Sequence, residues 1–275
     1  MSIVAISETV GSLGREIGRW VAEARGYEFA DREIISKAAE RFHEGIGDLT
    51  HVTEERPTLW ERFTDTQRRY MTYVEAILLE LAARDNVVLV GRAATLLLRG
   101  VGHALRVRVS APEDVRAARL QHEQGLTLEA ALDLVRQTDR ERAARVRFLY
   151  HVDWDDPLLY DLVLSTDRLG ADRGARLVGE ALDDASVQPT PASQRLLADL
   201  SLAAQARAAL LAHPLTRDRQ LYVSCRHGCV TLSGAVRDDA ARRAAAETVA
   251  AIAGVSSLEN EIVTLDARRT LASRL

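Results

Sequence analysis

The stretch "SIVAISETVGSLGREIGRW", residues 2–20, decides the fold of the first half of the chain. Its apolar beginning is typical of a short buried strand, and a helix is predicted to follow from about Arg15 to Ala24. Between them, Gly11 and Gly14 allow the tight turn that brings backbone N–H groups into one hollow. A helix N-terminus behind such a hollow favours a bound anion, and phosphate is the anion that proteins hold this way.

The loop departs from the common phosphate-binding pattern G-x-x-x-x-G-K-[ST] at three of its four defining positions. Gly14 takes the place of the second glycine, but Thr9 stands where the first should be. Arg15 replaces the lysine, and Glu16 replaces the hydroxyl that binds Mg²⁺. On these residues alone, a strand-to-helix turn without a ligand is as good an interpretation as a phosphate site.

Strands and amphipathic helices alternate through the first 185 residues. One helix is predicted to begin beside Ser110 and Glu113, which have the spacing of a capping box. Such alternation indicates a parallel sheet covered by helices on both faces, and these folds bind ligands beyond the carboxyl ends of their strands. The strands are predicted at 2–7, 86–91, 103–111 and 160–166, and the longer helices at 31–42, 65–85, 126–151 and 170–185.

Arginine supplies nearly all of the positive charge, because Lys37 is the single lysine. Arg92 follows Gly91 at the end of a predicted strand, which places it at the same sheet edge as the loop. Four more arginines lie within two turns of a predicted helix, namely Arg140, Arg142, Arg145 and Arg147. Several guanidinium groups converging on phosphates are what phosphoryl transfer needs. A surface helix with many ion pairs is the alternative for this run, which also contains Asp139 and Glu141.

A second, smaller module follows the segment "SVQPTPAS", residues 186–193, whose prolines and small polar residues predict a linker. A helix is predicted before Pro214, and the alternating residues 220–236 around "RHG" predict a β-hairpin. A helix over 238–254 and a strand over 255–266 follow. This α-β-β-α-β order over about 70 residues is sufficient for one small core.

The composition, with 47% hydrophobic and 28% charged residues, is that of a soluble globular protein. A net charge of −4 gives no general attraction to nucleic acid, so no nucleic-acid partner is expected. The N-terminus does not resemble a signal peptide, and no apolar run approaches the length of a membrane span. Two cysteines cannot build a disulfide framework, and a cytoplasmic location is the expectation.

Two groups of polar residues look like metal ligands: Cys225, His227 and Cys229 at the predicted bend, and Asp153, Asp155 and Asp156 in the first half. A closed zinc site needs a fourth ligand, and the sequence offers none near the bend. The three aspartates flank a tryptophan and a proline, which is more typical of a solvated turn. No metal-binding residue is therefore predicted.

The motifs together resemble the cytidylate kinase-like family, a branch of the nucleoside monophosphate kinases, from about Ser2 to Leu182. The resemblance is carried by "GSLGREIG", "YEFADREII", "VLVGRAA", "RVRVSAPEDVRAARL", "DRERAAR" and "DWDDPLLYDLVLSTDRLG". It implies a P-loop kinase-like fold, with ATP and Mg²⁺ as cofactors and a nucleotide as substrate. Arg15 and Glu16 match the usual loop of this family, whereas Ala93 stands where cytidylate kinases proper carry an aspartate.

The resemblance also implies a role for each matching residue. The phosphates of ATP would be bound by the loop, that is by Gly11, Ser12, Leu13, Gly14, Arg15 and Glu16. The acceptor nucleotide would meet Asp31, Arg32 and Arg92. Catalysis would depend on Arg15, Arg140 and Arg145, the last two as part of a lid over the transferred group. Asp161 is interpreted as structural.

The C-terminal residues from about Ser193 to Ala267 resemble a BON domain, which implies regulation or tethering through a protein, small-ligand or lipid partner. The predicted organisation is a kinase-like domain over 1–185, a linker over 186–193 and a BON-like domain over 194–268. The predicted function is ATP-dependent phosphorylation of a nucleoside monophosphate, with CMP or dCMP as the first candidates. A catalytically weak or inactive nucleotide sensor is the alternative, and self-association into a homo-oligomer is left open.

Overall fold

The computed structural model of the chain describes residues 2–31, 33–42 and 65–265. The chain divides into two compact units, each built from two segments. The first unit comprises Met1–Asp31 and Arg84–Ser193, and the second comprises Arg32–Ala83 and Gln194–Leu275. The domain boundaries proposed from the sequence remain a prediction.

The predicted alternation of strands and helices is present in the structure. The elements in chain order are β1 (Ile3–Glu8), α1 (Gly14–Arg25), β2 (Glu28–Ala30), α2 (Glu33–Phe42), α3 (Asp65–Ala83), β3 (Val87–Val90), α4 (Ala94–Leu97), β4 (Ala104–Ser110), α5 (Glu113–Gln124), α6 (Leu128–Tyr150), β5 (Leu162–Ser165), α7 (Thr166–Leu182), α8 (Pro191–Ala212), β6 (Leu221–Arg226), β7 (Cys229–Val236), α9 (Asp239–Ala250) and β8 (Ser257–Thr264).

The five strands of the first unit form one sheet in the order β2-β3-β1-β4-β5, and every neighbouring pair is parallel. The central strand β1 is fully buried from Ile3 to Ile6, because strands flank both of its edges and helices cover the sheet. The predicted parallel sheet is thus confirmed. The edge strand β2 was not predicted, since its three residues carry too short a pattern and depend on pairing with β3.

Helices α1 and α7 pack on the sheet through one apolar cluster. Ile17 and Val21 of α1 and Val178 and Leu182 of α7 are buried there against valines of the central strands. Helix α7 begins at Thr166, earlier than predicted, and contains a kink at Gly170 where φ is 68°. A glycine accepts this left-handed backbone without the cost that a Cβ atom would bring.

Helices α5 and α6 form an antiparallel pair with its own small core of Ala117, Leu120, Ala131 and Val135. Helix α6 is capped by Thr127, whose hydroxyl accepts a hydrogen bond from the N–H of Ala130 at 3.2 Å. The predicted capping box at the start of α5 is wrong. Ser110 is the last residue of β4, so Pro112 occupies the N-cap and provides no side-chain acceptor.

The second unit contains α2 and α3, which pack together with the rings of Phe42 and Tyr73 stacked at 4.2 Å. It also contains the predicted α-β-β-α-β module, which the structure confirms as α8, β6, β7, α9 and β8. Strands β6 and β7 form an antiparallel hairpin that turns at His227 and Gly228, and β8 pairs with β7 in parallel. Their core includes Val230, Leu232 and residues of both helices.

The predicted linker 186–193 is partly helical. A 3-10 turn spans Ala185–Val187, and helix α8 begins at Pro191, a residue suited to a first helical turn. Within the described ranges, none of the helices has both the length and the continuous apolar character that crossing a bilayer requires.

Candidate functional site

The carboxyl ends of β1, β3 and β4 lie side by side in the sheet, because the parallel register sets Ile6 beside both Val90 and Val107. The N–H of Gly91 donates to the carbonyl oxygen of Ile6 at 2.8 Å. The loop after β1 and the turn after β3 therefore share one edge of the sheet. Ligands of open parallel sheets bind at this edge.

The loop that follows β1 is held in shape through its carbonyl oxygens. Those of Val10, Gly11 and Ser12 accept hydrogen bonds from the side chains of other elements, namely Arg116 Nη1 at 3.3 Å, Arg119 Nη1 at 3.0 Å and Thr166 Oγ1 at 2.8 Å. Because the carbonyl groups point toward the protein, the N–H groups of Gly11 and Leu13, in the peptides of the Val10 and Ser12 carbonyls, are directed away from it, whereas the N–H of Ser12 donates to the carbonyl oxygen of Thr9 at 3.2 Å. This is the backbone arrangement of an anion-binding loop.

Ser12 and Leu13 were both predicted to bind phosphate, and the structure gives them different surroundings. Ser12 is fully buried, and its hydroxyl donates to the carbonyl oxygen of Thr9 at 2.7 Å and lies 3.1 Å from that of Val109. The Ser12 side chain therefore fastens the loop to β4. Leu13 has a left-handed backbone with φ 66°, which costs a non-glycine residue about 1 kcal/mol. Within the described residues, the N–H groups of Leu13 and Gly14 have no hydrogen-bond partner.

Close contacts explain why glycine occupies positions 11 and 14. A Cβ atom on Gly14 would lie 2.7 Å from both Cβ and Oε2 of Glu8, closer than real contacts allow. A Cβ atom on Gly11 would lie 2.9 Å from the carbonyl oxygen of Arg116, and the φ of Gly11 is 73°. Both glycines thus allow the loop to approach its neighbours, as a tight phosphate loop requires.

A carboxylate of the protein itself lies at the N-terminus of α1. Glu8 Oε2 accepts a hydrogen bond from the backbone N–H of Arg15 at 2.9 Å. Burial raises the pKa of Glu8 above its ordinary value of 4.5, although the nearby charge of Arg142 and the bond from Arg15 oppose this. Glu8 was not predicted as a site residue, because the phosphate-loop pattern assigns no role to this position.

Arg15 and Asp31, which the resemblance assigns to ATP and to the acceptor nucleotide, lie next to each other. Arg15 Nε lies 2.9 Å from Asp31 Oδ2, in an ion pair that lacks the alignment of a hydrogen bond. The Arg15 side chain is 37% exposed and that of Asp31 is 14% exposed. Arg15 is thus directed toward a carboxylate in this structure. Arg32, predicted beside Asp31, lies outside the described residues.

The arginines of α6 separate into two groups. Arg140 is exposed, and its Nε donates to the carbonyl oxygen of Arg136 in the same helix at 3.2 Å. Arg145 is half-buried. The arginine that contacts the loop is Arg142, whose Nη1 donates to the carbonyl oxygen of Glu8 at 2.6 Å. The lid roles given to Arg140 and Arg145 therefore remain predictions, and Arg142 is a site residue that sequence reasoning did not select.

Arg142 shares its surroundings with two further arginines. Burial lowers the pKa of Arg142, the carboxylates of Glu8 and Asp139 raise it, and the positive charges of Arg92 and Arg108 lower it further. Arg92 and Arg108 are thus each close enough to Arg142 for their charges to act on it, and Arg142 itself contacts the start of the loop at Glu8. Such a cluster attracts an anion with several charges.

Arg108, on β4, was also missed. It is 5% exposed, and its guanidinium lies 3.6 Å from the ring centre of Trp154. Nη1 donates to Ser7 Oγ at 3.2 Å, and Nη2 donates to Asp155 at 2.9 Å. Trp154 Nε1 also donates to Ser7 Oγ at 2.9 Å. Burial lowers the pKa of Arg108, while Tyr160 and Asp155 raise it. Arg108 therefore contributes positive charge from a fixed position.

Arg92 lies in a strained turn directly after β3. Gly91, Arg92 and Ala93 have φ values of 76°, 52° and 58°, so three successive residues are left-handed. Non-glycine residues in this region cost of order 1–3 kcal/mol each, and such residues concentrate at functional sites. Arg92 is half-buried and close enough to Arg142 for its charge to lower the pKa of Arg142. The turn therefore fixes the backbone of Arg92, whose role at the acceptor phosphate remains a prediction from the resemblance.

The groups that looked like metal ligands have structural contacts. Asp155 pairs with Arg108, and Asp156 accepts from the N–H of Leu158 at 2.9 Å in a short turn. The strand register sets Arg226 opposite Cys229 and Cys225 opposite Val230, so the two cysteines face opposite sides of the hairpin. Burial raises the pKa of Cys225 to about 11.

The donor chemistry of the loop fits a magnesium ion that arrives with a nucleotide. Among the described residues, no group of three or more ligating side chains is arranged to hold a metal ion by itself. Mg²⁺ commonly uses one or two carboxylates together with waters and substrate phosphates. Glu16 and Asp31 are close enough to Glu8 for their charges to raise its pKa, and Glu16 is half-buried. Asp31 is engaged by Arg15, which leaves Glu16 as the carboxylate suited to this task.

Comparison with known proteins gives relatives for this half of the chain. A cytidylate kinase of Methanocaldococcus jannaschii is 32% identical over 107 residues, which cover 38% of this chain and 60% of that protein. A cytidylate kinase of Thermoplasma acidophilum is 23% identical over 186 residues, covering 66% of this chain and 93% of that protein.

A crystal structure of an uncharacterized protein from Eubacterium ventriosum is similar in fold, with a TM-score of 0.54 and 17% identity. The likeness covers 67% of this chain and 99% of that one. Residues 198–266 match the BON domain, in agreement with the resemblance of the C-terminal module. Residues 3–168 match the cytidylate kinase-like family. Because this match extends over more than half of its length, the chain belongs to the cytidylate kinase-like family.

Proposed function

We propose that the first half of the chain transfers the γ-phosphoryl group of ATP to a nucleoside monophosphate, with CMP or dCMP as the first acceptors to test. The observation that carries this proposal is the cluster of Arg92, Arg108 and Arg142 beside the loop after β1. Membership of the cytidylate kinase-like family and the cytidylate kinases among the relatives support the choice of acceptor.

Phosphoryl transfer depends mainly on positioning and on stabilising negative charge, and the loop and the arginines supply both. The N–H groups of Leu13 and Gly14 would donate to the phosphates of ATP at the N-terminus of α1. Arg142 would neutralise charge on the transferred group, and Arg92 would hold the acceptor phosphate. Arg108 is engaged by Trp154 and Asp155, so it would act through its charge.

The carboxylates of Glu16 and Asp31 have separate roles in this proposal. Glu16 would be the carboxylate that holds Mg²⁺, which would supply positive charge against that of the phosphates. Asp31 keeps Arg15 in place through their ion pair. Arg140 and Arg145 would approach the phosphates only after a movement of α6, which is what a lid role would require of them.

An assay of ADP formation tests the proposal directly. The full chain is incubated with ATP, Mg²⁺ and CMP, dCMP, UMP, AMP or GMP in turn, and a reaction without acceptor measures ATP hydrolysis. We expect turnover with at least one monophosphate well above that background, with CMP or dCMP first. ADP formation that is the same with and without every acceptor would reject the kinase function.

A nucleotide sensor with little or no catalysis is a second candidate, and the Glu8 carboxylate at the N-terminus of α1 favours it. A carboxylate in this position opposes the binding and reaction of a phosphate. Thermal unfolding with ATP, ADP and CMP separates the two candidates, because ligand binding stabilises the folded state whether or not turnover follows. Stabilisation without product in the assay above would favour the sensor.

For the BON domain we propose a regulatory or tethering role through a partner, a small ligand or a lipid. The surface to examine for a ligand is an open, shallow face of the three-stranded sheet, lined in part by Tyr222, Glu261 and Val263. Tyr222 is 67% exposed there. Flotation with liposomes of neutral and anionic phospholipids tests the lipid case, and a chain that stays at the bottom with both would exclude it.

A further inference from the structure

The carboxylate of Glu8 occupies a position that a phosphate oxygen would need. It accepts a hydrogen bond from the backbone N–H of Arg15 at 2.9 Å, within the first turn of α1. Backbone N–H groups at a helix N-terminus are the donors through which proteins bind phosphate. A donor that is already bonded to a protein carboxylate cannot at the same time bind a ligand with full strength.

The contact between Glu8 and Gly14 strengthens this argument. A Cβ atom placed on Gly14 would lie 2.7 Å from Glu8 Oε2, so the carboxylate lies directly against the α-carbon of this glycine. In phosphate loops, a glycine leaves room for close approach of the ligand to the backbone. Here that room is filled by a side chain of the same protein.

The surrounding charges offset part of the cost of burying a carboxylate in this place. Arg142 binds the main-chain oxygen of Glu8, and its positive charge favours the ionised carboxylate. Arg92 and Arg108 add positive charge beside Arg142. The negative charges of Asp31 and Glu16 disfavour the ionised form of Glu8 and raise its pKa. When no phosphate is bound, the Glu8 carboxylate thus neutralises part of the positive charge of the nearby arginines.

We propose that Glu8 is an internal competitor for the phosphate position, so that a polyphosphate binds only when the Glu8 carboxylate leaves the N–H of Arg15. This inference rests on the proposed nucleotide-binding function and adds a control of affinity to it. Glu8 is half-buried, so its side chain has a path toward solvent when it is displaced. The displaced carboxylate would leave the arginine cluster free to neutralise the ligand.

The test is the affinity of the full chain and its Glu8→Gln variant for two ligands, ATP with Mg²⁺ and inorganic tripolyphosphate, measured by titration calorimetry. Glutamine keeps the size of the side chain but removes its charge. We expect Glu8→Gln to bind both ligands at least tenfold more tightly, a difference of 1.4 kcal/mol or more. The gain is expected to be similar for both, because the competition concerns the phosphates and not the base.

A matched control is Glu113→Gln, which removes a carboxylate from the first turn of another helix, α5. Glu113 is exposed and pairs with Arg136, away from the loop, so this variant is expected to bind ATP like the unmodified chain. A second variant, Glu8→Asp, keeps the charge but shortens the side chain by one methylene. Its affinity is expected to lie between those of the unmodified chain and Glu8→Gln.

The outcomes separate this inference from the proposed function. ATP binding by the unmodified chain with equal or weaker binding by both Glu8 variants would overturn the competitor and leave the nucleotide site standing. A gain with ATP that is absent with tripolyphosphate would also overturn it. Absence of ATP binding in the unmodified chain and in both variants would reject the nucleotide site and the competitor together. Thermal unfolding of each variant establishes that it is folded.

Discussion

Glu8 and Asp199 both accept hydrogen bonds from backbone N–H groups, but their pKa values move in opposite directions. Glu8 accepts from the N–H of Arg15 at 2.9 Å. Asp199 of α8 accepts from the N–H groups of His227 and Gly228 at 2.8 Å and 2.9 Å, at the turn of the hairpin. Burial dominates at Glu8 and raises its pKa. At Asp199, burial is the largest single influence and opposes ionisation, but the bonds from Gly228, His227 and Cys225 and the charge of His227 together outweigh it, and the pKa is lowered.

The comparison shows that one kind of contact, a carboxylate that accepts from backbone N–H groups, can have two different roles. At the hairpin, the carboxylate satisfies two N–H groups of a tight turn and lies near the surface, so the ionised form stabilises the fold. At the loop, a single N–H group faces a carboxylate in a less solvated place. A contact that gains little for the fold can be given up for a ligand, whereas the one at the hairpin cannot.

The largest expected effect comes from removing the cation beside Glu8. Arg142→Ala would remove a positive charge that lies beside the Glu8 carboxylate and would lie beside the transferred phosphate. We expect kcat for the best acceptor to fall by about a hundredfold, the size of effect found when one group that stabilises transition-state charge is removed. The ADP-formation assay measures it. Arg136→Ala is the control, because Arg136 is exposed and pairs with Glu113; an equal loss in both variants would contradict the role of Arg142.

A second prediction concerns a methyl group added to the backbone of the loop beside Glu8. In Gly14→Ala, the new methyl group would press on Glu8 at 2.7 Å, so the free energy of unfolding is expected to fall by about 1–3 kcal/mol. Gly179→Ala in α7 makes the same change where the nearest atom lies at 3.5 Å, and it is expected to stabilise by about 0.5–1 kcal/mol. Urea unfolding compares the two, and equal effects would exclude crowding by Glu8.

At the hairpin, Asp199→Ala leaves the N–H groups of His227 and Gly228 without their carboxylate. We expect the free energy of unfolding to fall by about 1–2 kcal/mol, since both groups are partly accessible to water. Asp239→Ala in α9 removes an exposed carboxylate that pairs with Arg242, and it is expected to change stability by about 0.5 kcal/mol or less. A loss no larger than that of the control would mean that Asp199 is not needed by the turn.

The smallest effect is a difference in pH dependence. The raised pKa of Glu8 means that its contribution to stability is complete below about pH 4.5 and is lost as pH rises through the raised value. Glu8→Gln is therefore expected to stabilise the chain at pH 7 but not at pH 4. For Asp199, whose pKa is lowered, the contribution is present above its ordinary value of 3.8 and is lost as pH falls through the lowered one.

Asp199→Asn is accordingly expected to destabilise the chain at pH 7, and the cost is expected to shrink below pH 3.8. Both differences are expected to be about 1 kcal/mol or less. Urea midpoints at several pH values measure them in the same experiment. Parallel pH profiles for the two variants would contradict the opposite directions of the two pKa values.

Much of the architecture was predictable because it depends on local sequence patterns. Buried strands gave continuous apolar runs, and the strand-to-helix turn needed Gly11 and Gly14, whose close contacts are now evident. The short strand β2 and the start of α5 were not predictable in this way. β2 exists through its pairing with β3, and Ser110 is held in β4 by its neighbour β5, so neither depends on its own residues alone.

The sequence prediction did not select Arg142 among the α6 arginines, although the necessary signal was present. Arg142 lies seven residues after the buried Val135, which places it about 20° from Val135 around the helix axis. Arg140 lies five residues after Val135, about 140° away, and is exposed. The apolar face of the helix therefore pointed to Arg142. Arg108 was hidden because a charged residue in a central strand is uncommon and its partners, Trp154 and Asp155, lie far along the chain.

The helix pair α5–α6 has a mechanical consequence. Arg116 of α5 is 4% exposed, donates Nη2 to Asp139 of α6 at 2.7 Å, and also reaches the carbonyl oxygen of Val10 in the loop. Arg142 extends from the same α6 to Glu8. The two helices are thus tied to each other and to the beginning of the loop, so a movement of this helix pair would also move the loop. If the loop binds a nucleotide as proposed, closure of the helix pair over that nucleotide would shift the beginning of the binding loop as well.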